Sequence, residues 1–207
     1  MEDSVNFGPS GMTVSVGDHV CAFYRTSAGR DEILVPYLQA GLERGDKCIA
    51  VLDQADPAEV RSQLRDGIDQ EPADENDQLA ILCSKDSYLR DGQFSKPAML
   101  DFWNVAVGDS MRESKYQFAR SVGEMTWALR QLPGVEDLVE YEAELNTFLP
   151  QYPQVIVCLY DLDQFDGRVV VDLLRTHPKI LLCGTLLDNP YYLEPHEFLA
   201  SRAPAPA

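Results

Sequence analysis

Basic residues are scarce in this chain. Lysine and arginine together number 17 against 34 aspartates and glutamates, giving a formal net charge of −17. Proteins that hold nucleic acid neutralise phosphates with lysine and arginine, so direct nucleic-acid binding is disfavoured, and so is docking on an anionic membrane. Long apolar runs are lacking as well, and none approaches the ~20 residues that a membrane span takes. Met1 to Gly11 holds two acids and no base, so neither a secretory nor a mitochondrial leader is expected. The expected location is cytoplasmic.

Catalytic motifs are also missing. A phosphate-cradling loop reads G-x-x-x-x-G-K-[ST] and supplies backbone donors with a lysine for the phosphates. The corresponding stretch after the first apolar run is Arg25-Thr-Ser-Ala-Gly-Arg-Asp31, with one glycine, and no lysine precedes Lys47. Neither G-x-S-x-G nor H-E-x-x-H occurs, and no nucleophile can be paired with a base. The five cysteines, Cys21, Cys48, Cys83, Cys158 and Cys183, form no C-x-x-C and are 27, 35, 75 and 25 residues apart, which suits no zinc module. Each sits in an apolar run, so all five are expected to be reduced, buried core residues. No catalytic residue, metal site or cofactor is expected.

What is present is an ordinary globular composition, 45% hydrophobic and 25% charged. Short apolar runs alternate with amphipathic stretches from end to end. The runs predict strands over His19–Tyr24, Lys47–Leu52, Leu79–Cys83, Phe118–Trp127, Val155–Tyr160 and Ile180–Leu186. Helices are predicted over Arg30–Arg44, Pro57–Gly67, Lys96–Glu113, Val135–Leu149 and Gly167–Thr176. Such alternation, with strands apolar throughout, indicates an α/β fold: three layers, with a mainly parallel sheet covered by helices on both faces. Pro36 falls inside the first helix and predicts a kink or a late start there. The acidic stretch Asp53–Asp77 reads as a solvated edge loop with its own short helix. The expected organisation is an N-terminal segment 1–16, one domain over 17–198, and a disordered tail 199–207. No helix-turn-helix is recognisable, so an output module is not expected within the chain.

Some polar residues stand out against this apolar pattern. Wound at 100° per residue, Val135–Leu149 gathers Val135, Leu138, Val139, Leu145 and Leu149 on one face. Glu142 lies in the middle of that stripe, with Asn146 one turn on. A carboxylate on a core face is costly unless paired, so Glu142 either joins a structural network or lines a ligand pocket. In the strand before Trp127, Arg120 and Glu124 share a face by period two, as a structural pair or as the polar end of a cavity. Trp127 points to the opposite face. His19 opens the first strand and His177 precedes Pro178 before the last, as satisfied structural groups or proton-responsive contacts. Asp161 and Asp163 follow the fifth strand, where a magnesium-binding acid often sits, but without a phosphate loop they are expected to cap a turn.

Taken in order, several segments resemble the MEDS domain, a sensory module named for methanogens, methylotrophs and a dichloromethane-responsive regulator. They are His19-Val-Cys-Ala-Phe-Tyr24, Ala40-Gly-Leu-Glu-Arg-Gly45 with Lys47-Cys-Ile-Ala-Val51, Gly123-Glu-Met-Thr-Trp127, Tyr141-Glu-Ala-Glu-Leu-Asn146, Val157-Cys-Leu-Tyr-Asp161, Thr176-His-Pro178 and Asn189-Pro-Tyr-Tyr192. The resemblance spans about Gly17 to Pro195. It implies a RecA/KaiC-like fold that has lost its phosphate loop, and a sensory role towards small organic compounds coupled to a regulatory output. The candidate ligand-binding set is then His19, Tyr24, Arg120, Glu124, Trp127, Glu142, Asn146, Tyr160 and His177. Expected partners are a small organic ligand and a regulatory protein, such as a kinase, an anti-sigma factor or a transcription regulator, with a homodimer left open. Two alternatives stay open: a ligand-free interaction module, and a degenerate nucleotide-binding protein with weak NTPase activity.

Overall fold

In the computed structural model, which describes residues 4–8, 11–66, 77–112 and 115–202, the apolar runs become strands of one sheet. Along the chain come β1 (Ser4–Asn6), β2 (Thr13–Ser15), β3 (His19–Tyr24), α1 (Ser27–Arg44), β4 (Lys47–Leu52), α2 (Pro57–Asp66) and β5 (Leu79–Cys83). They are followed by α3 (Lys96–Arg112), β6 (Ala119–Glu124), α4 (Leu138–Phe148), β7 (Gln154–Asp161), α5 (Gly167–Thr176), β8 (Lys179–Leu182), β9 (Thr185–Asp188) and α6 (Pro195–Arg202). The sheet order is β5-β4-β6-β7-β3-β8-β9, parallel except for the last pair. This is the α/β, three-layer arrangement with a mainly parallel sheet that the alternating pattern implies. No helix among the described residues is long and apolar enough to cross a membrane.

Strand periodicity sorts the side chains. On β3, Val20, Ala22 and Tyr24 join a core with Leu34, Tyr37 and Leu38 of α1 and Val60 and Leu64 of α2. Cys21 and Phe23 join the opposite core with Trp103 of α3, Tyr141 and Leu145 of α4, and Leu173 of α5. Each fully buried Leu or Phe contributes about 1.5–3 kcal/mol by leaving water. Every residue of β3, β4, β6 and β7 is buried, which is why those runs show no polar alternation.

Helix ends follow local chemistry. Thr26 caps α1 by accepting the Gly29 N–H at 3.1 Å, and Gly45 closes it in the left-handed region at φ 84°. The helix therefore begins at Ser27, earlier than the sequence predicts, and runs without a break through Pro36. The helix expected over Val135–Leu149 is divided into a 3-10 turn, Val135–Asp137, then α4, then a closing turn over Leu149–Gln151.

Other expectations need correction. The strand expected over Phe118–Trp127 stops at Glu124, and Trp127 sits on a 3-10 turn, Met125–Arg130, rather than on a strand face. The last strand is a hairpin of β8 and β9, since Cys183 and Gly184 both adopt positive φ, 50° and 72°, as a two-residue reversal requires. The N-terminal segment contributes to the core: β1 and β2 pair, burying Val5 and Val14, and Phe7 packs on Tyr37 with ring centroids 5.0 Å apart. At the other end α6 continues to Arg202, so residues 199–202 are helical, while 203–207 lie outside the described residues. The acidic stretch contains α2 as expected, and its residues 67–76 also lie outside them.

The cysteines divide in the same way. Cys21, Cys48 and Cys158 are buried, Cys83 is half-buried, and Cys183 is exposed at the hairpin tip, so the expectation of five core thiols fails for the last two. A thiol-reactive dye is expected to label Cys183 promptly in the native protein and Cys183→Ser to lose that signal. The three buried thiols should react only when denaturant is added. Prompt labelling of Cys48 or Cys158, mapped by peptide mass spectrometry, would contradict this packing.

Candidate functional site

The nine candidate residues do not form one site. The sheet separates them, because Arg120 and Glu124 point to the face covered by α1 and α2 whereas Glu142 approaches from α4 on the other face.

On the α4 side, β3, β7, α4 and the end of α5 bring together a polar cluster in which His19, Glu142, Cys158, Tyr160 and His177 are buried and Asn146 is half-buried. Glu142 is its centre. Its Oε1 accepts the Tyr160 hydroxyl at 2.5 Å. Its Oε2 lies 3.2 Å from His19 Nε2, 3.4 Å from His177 Nε2 and 3.5 Å from Cys158 Sγ. The imidazoles of His19 and His177 are 4.0 Å apart between ring centroids. Asn146, one turn after Glu142, donates its amide to the carbonyls of Glu142, Ala143 and Thr176 at 3.1, 3.2 and 2.8 Å. Those three acceptors orient the amide, so Oδ1 faces His19 Nδ1 at 3.2 Å. His177 Nδ1 lies 2.8 Å from the carbonyl of Leu173. Five of the nine candidates, His19, Glu142, Asn146, Tyr160 and His177, are therefore collected here. Cys158, read from sequence as a plain core thiol, is the member that sequence reasoning missed.

The electrostatics of this cluster are under tension. Among the described residues no lysine or arginine forms an ion pair with Glu142; its ion-pair partners are the two histidines. Burial pushes His19 down to about 4, and the neighbouring His177 adds to that. Burial also works against the Glu142 carboxylate, but its hydrogen bonds and charge interactions with His177 and His19 outweigh burial and hold its carboxyl below the ordinary range. Burial, and then the Glu142 charge, push the Cys158 thiol and the Tyr160 phenol well up. The carboxylate thus calls for positive charge in a place where a protonated imidazole is poorly solvated.

On the α1 side, Arg120 and Glu124 are not paired with each other. Arg120 donates through Nε to Asp46 at 2.8 Å and lies over the ring of Tyr37. It packs so closely on α1 that a Cβ at Gly41 would stand 2.6 Å from its Cδ. Glu124 accepts the backbone N–H groups of Asp53, Gln54 and Ala55 at 2.7, 2.8 and 2.9 Å and the Arg30 guanidinium at 3.1 Å. That fastens the β4–α2 loop to the start of α1, a positioning role. Trp127 is stacked on Tyr88 at 4.7 Å and packed on Phe94 at 4.7 Å, inside the aromatic core.

Beyond the carboxyl end of β3 lies a cleft of about 440 Å³. Met12, Phe23, Ile33, Pro36, Leu162 and Leu181 make it mainly apolar, with Tyr24, Arg25, Thr26 and Glu32 along its edge. Open α/β sheets bind ligands in this position. The groups that would hold a phosphate are already engaged. Thr26 takes the Gly29 N–H, Asp163 takes Arg25 at 3.0 Å, and Glu124 and Asp31 take Arg30. Asp161 accepts the Asp163 N–H at 2.9 Å, capping its turn as expected. Tyr24 is the one candidate that reaches the cleft, and its buried hydroxyl has no hydrogen-bond partner among the described residues. Burial, followed by Glu124 and Asp161, pushes that phenol up.

Comparisons with known proteins bear on the family and the fold. The family model described as the MEthanogen/methylotroph, DcmR Sensory domain matches residues 18–178. The transcriptional repressor DcmR of Methylorubrum extorquens is 31% identical over 176 residues, which are 81% of this chain and 61% of the repressor. The chain thus spans less than two thirds of that relative's length. Among solved structures, a KaiC-like protein from Pyrococcus horikoshii OT3 superposes with a TM-score of 0.58 at 15% identity, covering 85% of this chain and 77% of the other. An uncharacterized protein from Pyrococcus horikoshii, solved with an unknown peptide, gives 0.62 at 16% identity, covering 81% and 77%. At such identities these two share the fold, which is KaiC-like. The chain belongs to the MEDS family of sensory domains.

Proposed function

We propose that this domain senses a small, mainly apolar organic molecule in the cleft beyond β3 and passes the occupied state to a regulatory protein partner. The observation that carries the reading is the cleft itself. It lies where this fold holds its ligands, it has the volume of a small-molecule site, and its walls are Met12, Phe23, Ile33, Pro36, Leu162 and Leu181. Such walls favour neutral apolar solutes, and the Tyr24 hydroxyl supplies one unspent polar contact for orientation.

The similarity to a transcriptional repressor supports a regulatory output. A net charge of −17 opposes direct contact with a phosphate backbone, so the output is assigned to a protein. Transmission is local: the cleft is walled by α1, by the stretch after β1 and by the β8–β9 hairpin, whose exposed Leu182 and Leu187 offer an apolar contact surface. A ligand shifts such a surface only through its different affinity for two arrangements. The alternative of a degenerate nucleotide site is disfavoured by the engagement of Arg25, Arg30 and the Gly29 N–H described above.

The experiment is thermal unfolding against a panel of small neutral organics, with MgATP as contrast. A ligand at 100 times its dissociation constant should stabilise the native state by about 2.7 kcal/mol. Ile33→Trp, which fills the cleft, is expected to abolish the response and leave the fold intact. Stabilisation by MgATP with none by any neutral compound would contradict the proposal.

A further inference from the structure

We propose that His19, Glu142, Cys158 and His177 form a closed, four-coordinate site for a divalent transition-metal ion of the zinc class. The site lies at the amino end of β3, away from the cleft, and does not depend on what the cleft binds.

The first argument is geometric. The four donor atoms, His19 Nε2, Glu142 Oε2, Cys158 Sγ and His177 Nε2, all lie within 4.8 Å of one another and all four residues are buried. Their measured separations are 3.2 Å for His19 to Glu142, 3.4 Å for His177 to Glu142, 3.5 Å for Cys158 to Glu142 and 3.4 Å for His19 to Cys158. A tetrahedron built on zinc bonds of about 2.0–2.2 Å to nitrogen and oxygen and about 2.3 Å to sulfur has edges of about 3.4–3.6 Å. Four of the six edges are thus close to that length, and the other two, from His177 to His19 and to Cys158, are no longer than 4.8 Å.

The second argument is a count of protons. The Asn146 amide oxygen and the Leu173 carbonyl accept from Nδ1 of His19 and His177, which in the neutral imidazoles leaves both Nε2 atoms as lone pairs directed inward. Glu142 Oε2 brings a third lone pair, and Tyr160 already donates to Oε1. One proton, that of the Cys158 thiol, remains for four heavy atoms in contact. His177 Nε2 accordingly has no hydrogen-bond partner among the described residues. Acceptors gathered without donors in a dry interior are held together by a cation or not at all.

The third argument is the surrounding shell. Metal-bound imidazoles characteristically donate their other nitrogen to a carbonyl or carboxylate, and ligating carboxylates are themselves hydrogen-bonded. Here His19 has Asn146, His177 has Leu173 and Glu142 has Tyr160. On loading, the Cys158 S–H bond breaks, its proton passes to solvent, and a sulfur–metal bond forms. The two positive charges of the ion then meet one thiolate and one carboxylate, so the buried site becomes neutral. Four protein ligands leave no open position, which makes the role structural, with metal taken up as the chain folds.

The test uses the full chain purified without chelator, analysed by inductively coupled plasma mass spectrometry and then, as metal-stripped protein, titrated with Co²⁺. About one zinc-class ion per chain is expected, together with tetrahedral cobalt bands and a thiolate-to-cobalt charge-transfer band. Cys158→Ser should remove the charge-transfer band and weaken Co²⁺ binding at least about 10-fold, while Cys48→Ala, in the opposite core, should retain both. Folded wild-type protein that carries no metal and gives no cobalt spectrum would overturn the site, as would a charge-transfer band that survives Cys158→Ser. If Cys158→Ser does not fold, the wild-type charge-transfer band decides alone: its presence supports the site and its absence refutes it. Because the cleft plays no part in these readouts, the ligand proposal stands or falls separately.

Discussion

A single buried carboxylate constrains one side of this fold. Glu142 is fully enclosed between α4 and the sheet, and an ionised group there is tolerated only when its charge is met within bonding distance. That requirement sets what stands opposite it. His19 must open β3 on the α4 face, Cys158 and Tyr160 must occupy alternate positions of β7 on the same face, and His177 must close α5. One residue of slip in β3 or β7 would turn these partners into the α1 core and leave the carboxylate unmet. Glu142 therefore acts as a register pin for β3 and β7, two neighbouring central strands of the sheet.

The two ends of β3 have divergent chemistry. At its amino end, polar atoms are gathered in a dry space and held by one another. At its carboxyl end, where relatives of this fold present ligands, the wall is apolar and the charged groups are spent on neighbours. Arg30 illustrates the second point: its guanidinium binds Glu124 and Asp31, and Glu124 in turn gathers three backbone amides of the β4–α2 loop. A loop fastened in this way is a stiff wall for a small-molecule cleft and a poor cradle for phosphate.

Much of this architecture was legible in the sequence because apolar runs and helix punctuation report burial directly. β3, β4, β5 and α5 coincide with their predicted bounds, and the winding of Val135–Leu149 singled out Glu142 as a core carboxylate. What was hidden depends on contacts far apart in the chain. Cys158 looked like a small hydrophobe because its partners are 16 and 139 residues away. Arg120 and Glu124 looked like a pair by strand period, yet each has a nearer opposite charge from another element, Asp46 and Arg30. The division of the candidates by the sheet could not be read from spacing, since period two fixes which residues share a face but not which face two elements share. The hairpin at Cys183-Gly184 could have been found, because a residue followed by glycine between short apolar runs is a turn signal.

The most direct test of the account is the unfolding free energy of Glu142→Gln, measured by urea denaturation beside the wild type under identical metal conditions. Glutamine keeps the shape and removes the charge, so it isolates the interaction on which the cluster depends. Weakening the hydrogen bonds of a buried charged acceptor costs about 1–3 kcal/mol, and a loss of about 1 kcal/mol or more is the predicted result. A loss below about 1 kcal/mol, with the native fold retained, would show that the carboxylate is not held by charge in the core and would contradict the account.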